Sequence, residues 1–362
     1  MIEGADRFLA ATRCEKLDTT PVWFMRQAGR SLPQYRALRE RFSFMELATT
    51  SDLCVEVTCL PVDVLGVDAA VVFADIMLPL QGMGVDFEIR EGVGPVIANP
   101  LRSEDEVARL RVIDAEQATP YLFPAIRASQ ERLGRRAALI GFGAAPFTLA
   151  CYLVEGHGSR DFPRVRTLIH SDPGIWERLM TTVTEVSARY LTAQAAAGAD
   201  VVQLFDSWAG ILDRATFETH VAPHLERLLE RLRPVVPVIY FSTASAHLLA
   251  AIAATDPDGV SVDWRVPLSE AWEVVGFHRF IQGNLDPALV LAPWPELESA
   301  ALGVLAEAGG RPGHIFNLGH GVLPSSSPEQ LRRLVELVHE KGTSKPAKGA
   351  LRKAPEVRSD LD

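Results

Sequence analysis

Five arginines, Arg26, Arg30, Arg36, Arg39 and Arg41, fall within sixteen residues, and Glu40 is the sole acid among them. They follow an apolar pentapeptide, PVWFM, at 21–25. Guanidinium groups grip carboxylates with two parallel hydrogen bonds and keep their charge in a partly dehydrated cleft. The chemistry this suggests is recognition of a molecule bearing several carboxylates. Further polar groups follow other short apolar runs: Asp75, the stretch GAAPFT, Asp206 with Ser207, Asp263, Asn284 and His320. The chain has no GxSxG elbow and no GxxxxGK[ST] phosphate loop, and no GxGxxG follows its first apolar run. The glycines of GFGAAP have the wrong spacing for a dinucleotide fingerprint, and a proline interrupts them.

Each of these residues also has a plainer reading. Arg36, Arg39 and Arg41 fit the solvated face of a helix beginning at Pro33, whereas Arg26 and Arg30 fall on the loop around Gly29. Asp75 suits a helix N-cap. Tyr152, inside an apolar run, suits the core, and His320 suits a group that satisfies nearby backbone.

The elements that must hold these groups alternate. Strand candidates are PVWFM, AAVVF, AALIGF, DVVQLF, VPVIYF, GVSVDW, RFIQGN and HIFNLG. Between them lie helical patterns over residues 44–66, 173–198 and 212–232, with Gly198 and Pro234 as stops. Eight buried strands separated by helices predict an α/β fold, a single (β/α)8 TIM barrel. A doubly wound open sheet shares the alternation. In a barrel the loops after the strands carry the chemistry, and the groups above stand there. GVDFEIREGVGPVIANP reads as a β-hairpin inserted after the second βα unit. The barrel is expected over 1–340, and 341–362 lacks apolar periodicity and reads as a disordered, solvated tail.

Composition narrows the class. The chain has 362 residues, a formal net charge of -10, 48% hydrophobic and 23% charged residues, which is ordinary for a globular enzyme. The acidic balance argues against a nucleic-acid partner. No apolar run reaches the ~18 residues of a membrane span, and the N-terminus lacks a signal-peptide core. Four cysteines, Cys14, Cys54, Cys59 and Cys151, form no CxxC pair, so reduced thiols and a cytoplasmic location are expected.

Several stretches carry a specific resemblance. PVWFMRQAGRSLPQYR and GFGAAPFTLACYLVEG resemble two signatures of the uroporphyrinogen decarboxylase family. DAAVVFADIMLPLQGMG, QLFDSWAG, IQGNLDP and FNLGHGVLP resemble further blocks of that family, in the same order. The likeness spans about residues 5–340. Ser31 departs from the tyrosine common after RQAGR, and LPSSSPEQ departs from the acidic residue that often follows that proline.

The resemblance implies a cofactor-free decarboxylation that turns the four acetates of uroporphyrinogen III into methyls, giving coproporphyrinogen III and four carbon dioxides. It implies that Asp75 accepts hydrogen bonds from pyrrole N–H groups and balances a cationic ring. Arg26 stands beside the reacting acetate, as a carboxylate anchor with any proton relayed through water. Arg30 and Arg39 make further substrate-carboxylate contacts, and Tyr152, Ser207 and His320 bind or orient the macrocycle. A homodimer is implied as well. Two alternatives share the barrel or the ligand. A cobalamin-linked thiol methyltransferase needs zinc on thiolate and imidazole ligands, and no His-x-Cys occurs, VPVIYFSTASAHLL included. A porphyrinogen carrier would bind without releasing carbon dioxide.

Overall fold

The computed structural model describes residues 2–90 and 92–342. Its centre is a parallel sheet of seven strands: β1 (Ala69–Val71), β4 (Ala138–Ala144), β5 (Val201–Asp206), β6 (Val238–Ser242), β7 (Gly259–Ser261), β8 (Phe280–Leu285) and β9 (His314–Leu318). The strands pair in chain order, and helices connect them. β4, β6, β8 and β9 are buried along almost their whole length, so they read as unbroken apolar runs rather than alternating ones. Two strands stand apart from the sheet. β2 (Phe87–Arg90) and β3 (Gly94–Ile97) pair antiparallel with Phe87 opposite Ile97. The Ile97 N–H donates to the Gly156 carbonyl at 2.7 Å, fixing this pair to the helix Pro146–Glu155.

The expected first strand behaves differently. Pro21–Met25 forms one parallel bridge, Val22 with Phe316, rather than a strand. The cause is that side chains take its backbone donors. Asp68 Oδ2 accepts from the Val22 N–H at 2.8 Å, Gln27 Oε1 from Phe24 at 3.0 Å and Asn317 Oδ1 from Met25 at 3.1 Å. The stretch nevertheless touches both sheet edges. Phe316 N–H donates to Pro21 C=O at 2.8 Å, and Asp68 N–H, just before β1, donates to Val22 C=O at 2.8 Å.

Two expected helices are each divided. Residues 44–66 form Phe44–Thr49 and Ser51–Leu65, broken by extended backbone at Thr50. Residues 212–232 form Arg214–His220 and Ala222–Leu232, because Pro223 has no N–H to continue the first helix. The helix Pro173–Ala197 runs unbroken to Gly198, whose positive φ ends it. The last helix ends at Lys341, and the rest of the expected tail, from 343 on, lies outside the described residues.

Candidate active site

Arg26 is the exposed tip of the loop that leaves Pro21–Met25, and its φ of 60° is left-handed. Such a backbone costs a non-glycine residue about 1 kcal/mol or more unless its surroundings fix it. Here they do. Buried Gln27 reaches back to the Phe24 N–H and donates to Ala69 C=O at 2.8 Å, and Val322 N–H donates to Met25 C=O at 2.8 Å. Two glycines leave room for the arginine. A Cβ on Gly29 would lie 2.7 Å from the Arg26 carbonyl oxygen, and one on Gly321 would lie 2.4 Å from Arg26 Cδ.

Asp75 follows β1 and feels the Arg26 charge, partly accessible but surrounded by protein. It is not a helix N-cap. Its Oδ1 accepts from the Met77 N–H at 2.9 Å in a local turn ahead of the helix Pro79–Gly82. Burial pushes its carboxyl up to about 6, against the Met77 bond and the Arg26 charge, which favour ionisation. Tyr152, on the helix Pro146–Glu155, is held at about 12 by burial, and the charges of Asp75 and Arg26 act on it in opposite directions. His320 is pushed down to about 4 by burial and then by Arg26 and Arg265, with Asp263 opposing. Among the described residues its ring has no hydrogen-bond partner, so it does not serve the backbone. Arg26, Asp75, Tyr152 and His320 therefore share one electrostatic neighbourhood. At neutral pH it holds a fixed cation, a carboxylate that ionises near pH 6, a neutral phenol and a neutral imidazole.

The other arginines divide. Arg30 and Arg39 both act on buried Tyr35, whose ring lies 5.7 Å from that of Phe73, so they border the same region two residues from Asp75. Arg39 also donates to Phe42 C=O at 2.8 Å. Arg36 is structural, donating to the carbonyls of Arg30 at 2.7 Å and Ser31 at 3.0 Å, and Arg41 lies over the Phe42 ring at 5.1 Å. Among the described residues none of the five makes an ion pair, in a chain with 46 acidic residues to 36 basic ones. Ser207 is partly accessible at the turn after β5, and its neighbour Trp208 meets Tyr152 edge-on at 6.2 Å. No hydrogen bond joins Ser207 to Asp75 or Arg26 among the described residues.

Asp206, Asp263 and Asn284 support the loops rather than line the site. Asp206 is buried and accepts from Thr148 Oγ1 and Tyr240 OH, both at 2.8 Å. Asp263 holds the Ala244 N–H at 2.6 Å and Arg265 Nη1 at 2.7 Å, and Asn284 donates to the carbonyls of Asp263 and Val266. The sequence reading missed a set of buried amides. Trp23 Nε1 donates to Gln282 Oε1 at 2.8 Å, and Gln282 donates onward to Gln203 at 3.0 Å and Ser261 at 2.9 Å. A cavity of about 400 Å³ bounded by Arg102, Val154, Arg164, Leu168 and Ile175 shares no residue with the cluster.

Among the described residues no three His, Cys, Asp or Glu side chains come together as metal ligands. Among known structures, a methyltransferase from Methanosarcina mazei superposes with a TM-score of 0.78 over 94% of this chain and 99% of its own, at 19% identity, a likeness of fold. The family model for uroporphyrinogen decarboxylase (URO-D) matches residues 3–341. Uroporphyrinogen decarboxylase of Roseiflexus sp. (strain RS-1) is 46% identical over 340 residues, covering 92% of this chain and 98% of that protein. That of Sorangium cellulosum (strain So ce56) is 48% identical over 335 residues, covering 92% and 96%. At that identity over nearly the full length of both proteins, the chain belongs to the uroporphyrinogen decarboxylase family, and its activity is a decarboxylation step of tetrapyrrole biosynthesis.

Proposed function

We propose that the protein removes the carboxyl groups of the four acetates of uroporphyrinogen III, giving coproporphyrinogen III, without a cofactor. The observation that carries this reading is that Arg26, Arg30 and Arg39 lie within fourteen residues with no carboxylate of the described residues in an ion pair with them. Cations left without an acidic partner suit a ligand that supplies the carboxylates.

The chemistry needs an electron sink. A proton adds to the pyrrole carbon beside the acetate-bearing carbon, and the ring becomes a cation. The bond from the acetate CH2 to its carboxylate carbon then breaks; its electron pair neutralises the ring and carbon dioxide leaves. A proton taken up at the resulting methylene gives the methyl, and the ring carbon returns its proton. The net change is one proton in and one carbon dioxide out per acetate. Ionised Asp75 supplies the counter-charge for the cationic ring, in surroundings dry enough to raise its own pKa. Arg26 anchors the reacting carboxylate; its guanidinium is too weak an acid to give up a proton itself. Arg30 and Arg39 hold peripheral carboxylates, and Tyr152, Ser207 and His320 orient the macrocycle, His320 as a neutral ring.

Three wider statements belong to this proposal. Pro21–Met25 serves as the eighth stave of a (β/α)8 barrel, supported by its hydrogen bonds to β9 and to Asp68 ahead of β1, and β2–β3 is a hairpin inserted after the second unit. The protein acts as a homodimer, on the strength of the family resemblance. It acts in the cytoplasm, which agrees with four cysteines that are all free.

Anaerobic incubation of the purified protein with uroporphyrinogen III, followed by oxidation and chromatography, tests the reading. Products with seven, six, five and finally four carboxylates are expected, with no added cofactor and after exhaustive chelation. Binding without carbon dioxide release would identify a carrier. Activity lost on chelation and restored by zinc alone would point to the methyltransferase chemistry instead.

A further inference from the structure

Arg26 combines two features that conflict: an exposed, flexible side chain and a backbone conformation that most residues avoid. What resolves the conflict comes from the adjoining Gln27 and from one distant segment, β9 with the loop after it. Asn317, fully buried in β9, accepts from the Met25 N–H at 3.1 Å, immediately before the arginine. Gln27, buried immediately after it, bonds both Phe24 N–H and Ala69 C=O, so the loop is tied to β1. Gly321, in the loop after β9, then packs along the arginine stem. A Cβ there would lie 2.4 Å from Arg26 Cδ, 2.7 Å from Cγ and 3.1 Å from Cβ. All three crowded atoms belong to the one side chain, so a methyl at 321 has to move Arg26.

We infer that Gln27, Asn317 and Gly321 are positioning residues that aim the Arg26 guanidinium at the reacting carboxylate. None of the three is assigned contact with substrate. The inference rests on the reading of Arg26 as the carboxylate anchor. It adds that the anchor's direction is set by β9 and its following loop as much as by its own. His320, the neighbour of Gly321, feels the Arg26 charge, so this loop carries one macrocycle-orienting group and shapes the path of another.

The test is a double-mutant cycle on the full-length protein, with kcat and KM measured on uroporphyrinogen III for Arg26→Ala, Gly321→Ala and the pair. A misdirected anchor is expected to lower kcat/KM by about 10- to 100-fold in Gly321→Ala, with thermal stability close to wild type. In the Arg26→Ala background the same substitution should cost less than about 2-fold, because there is no longer a side chain to displace. A merely structural glycine would cost the same in both backgrounds, and that additive result overturns the inference. So does a Gly321→Ala variant of full activity alongside a crippled Arg26→Ala. Full activity in Arg26→Ala itself removes the anchor reading, and the positioning role with it. Should Gly321→Ala not fold, Gln27→Met, which keeps the bulk and loses both hydrogen bonds, enters the same cycle with the same criteria.

Discussion

Asp75 and Arg26 are an acid and a base placed so that neither neutralises the other outright, and the consequences can be measured. The Asp75 carboxyl has a folded pKa of about 6 against an ordinary 3.8. Between those values the folded protein holds a proton that the unfolded chain has released, so stability falls as pH rises through the window. Above pH 6 both states are ionised and the full cost is present. Asp75→Asn removes that cost. It is expected to raise unfolding free energy by on the order of 1 kcal/mol at pH 8, discounted for the residue's partial accessibility, and by less at pH 4.5. The same variant should lose about 100-fold or more in kcat, because the counter-charge to the cationic ring is gone. An unchanged kcat at saturating substrate would leave Asp75 a geometric anchor only. The wild-type kcat/KM should show an acid limb near pH 6 that Asp75→Asn abolishes. His320 is already neutral above about pH 4 and contributes no such limb. Arg26→Lys keeps the charge and loses the planar fork, so a loss of about 100-fold in kcat/KM is expected, whereas Arg41→Lys, exposed over Phe42, should stay within 2-fold. Equal activity in these two variants would remove the anchoring role of the first loop.

At the scale of elements, the helix Pro146–Glu155 shows how the site is held and what the sequence could disclose about it. The helix presents Tyr152, and its first turn is clamped by Thr148 to Asp206 at the end of β5, with Tyr240 of β6 on the other carboxylate oxygen. Asp206→Ala leaves two buried hydroxyls unpaired, so a loss of about 2–4 kcal/mol is expected in denaturant unfolding, with Asp206→Asn much milder. If both variants unfold like wild type, the clamp does not hold the helix. Asp206 also titrates near 6, through burial, but Asp206→Asn should keep the acid limb that Asp75→Asn loses. The strands and the long helix ending at Gly198 were legible because apolar runs and a glycine stop are local signals. Arg26, Arg30, Asp75, Ser207 and His320 stood out as candidates because they follow apolar runs, whereas Tyr152, inside the helix Pro146–Glu155, and Arg39, on the helix Pro33–Arg41, entered through the family resemblance. The amides Gln27, Gln203, Gln282 and Asn317 were not, since an uncharged amide has no motif and its partner lies far away: Asn317 bonds a residue 292 positions earlier. For the same reason Pro21–Met25 read as a strand. Its composition is that of one, and nothing local reveals that side chains would claim its N–H groups.

At the scale of the described molecule, the end of the sheet opposite the candidate site is tied together at one residue. Asp68, just ahead of β1 and buried, accepts from Arg7 Nη1 at 2.6 Å, from Val22 N–H at 2.8 Å and from His339 Nε2 at 2.7 Å. One carboxylate thereby joins the helix Gly4–Thr12, the stretch Pro21–Met25 and the helix Pro328–Lys341. Thr19 Oγ1, donating to His339 C=O at 2.7 Å, and Thr20 N–H, donating to Gly342 C=O at 2.9 Å, seal the same junction. Arg7 is also buried, and Asp18 holds it as well, accepting from its Nε and Nη2, both at 2.9 Å, so loss of Asp68 removes one of its two carboxylate partners. Asp68→Ala strands the Val22 N–H and the His339 ring nitrogen and is therefore expected to cost about 2–3 kcal/mol in denaturant unfolding. Its folded fraction should keep near-normal kcat, because Asp68 and Asp75 stand at opposite ends of β1. A stable Asp68→Ala would show that the helices and the sheet hold the ends without the carboxylate. A stable fold with collapsed kcat would show instead that strain at this end reaches the Arg26 loop through Val22, four residues upstream.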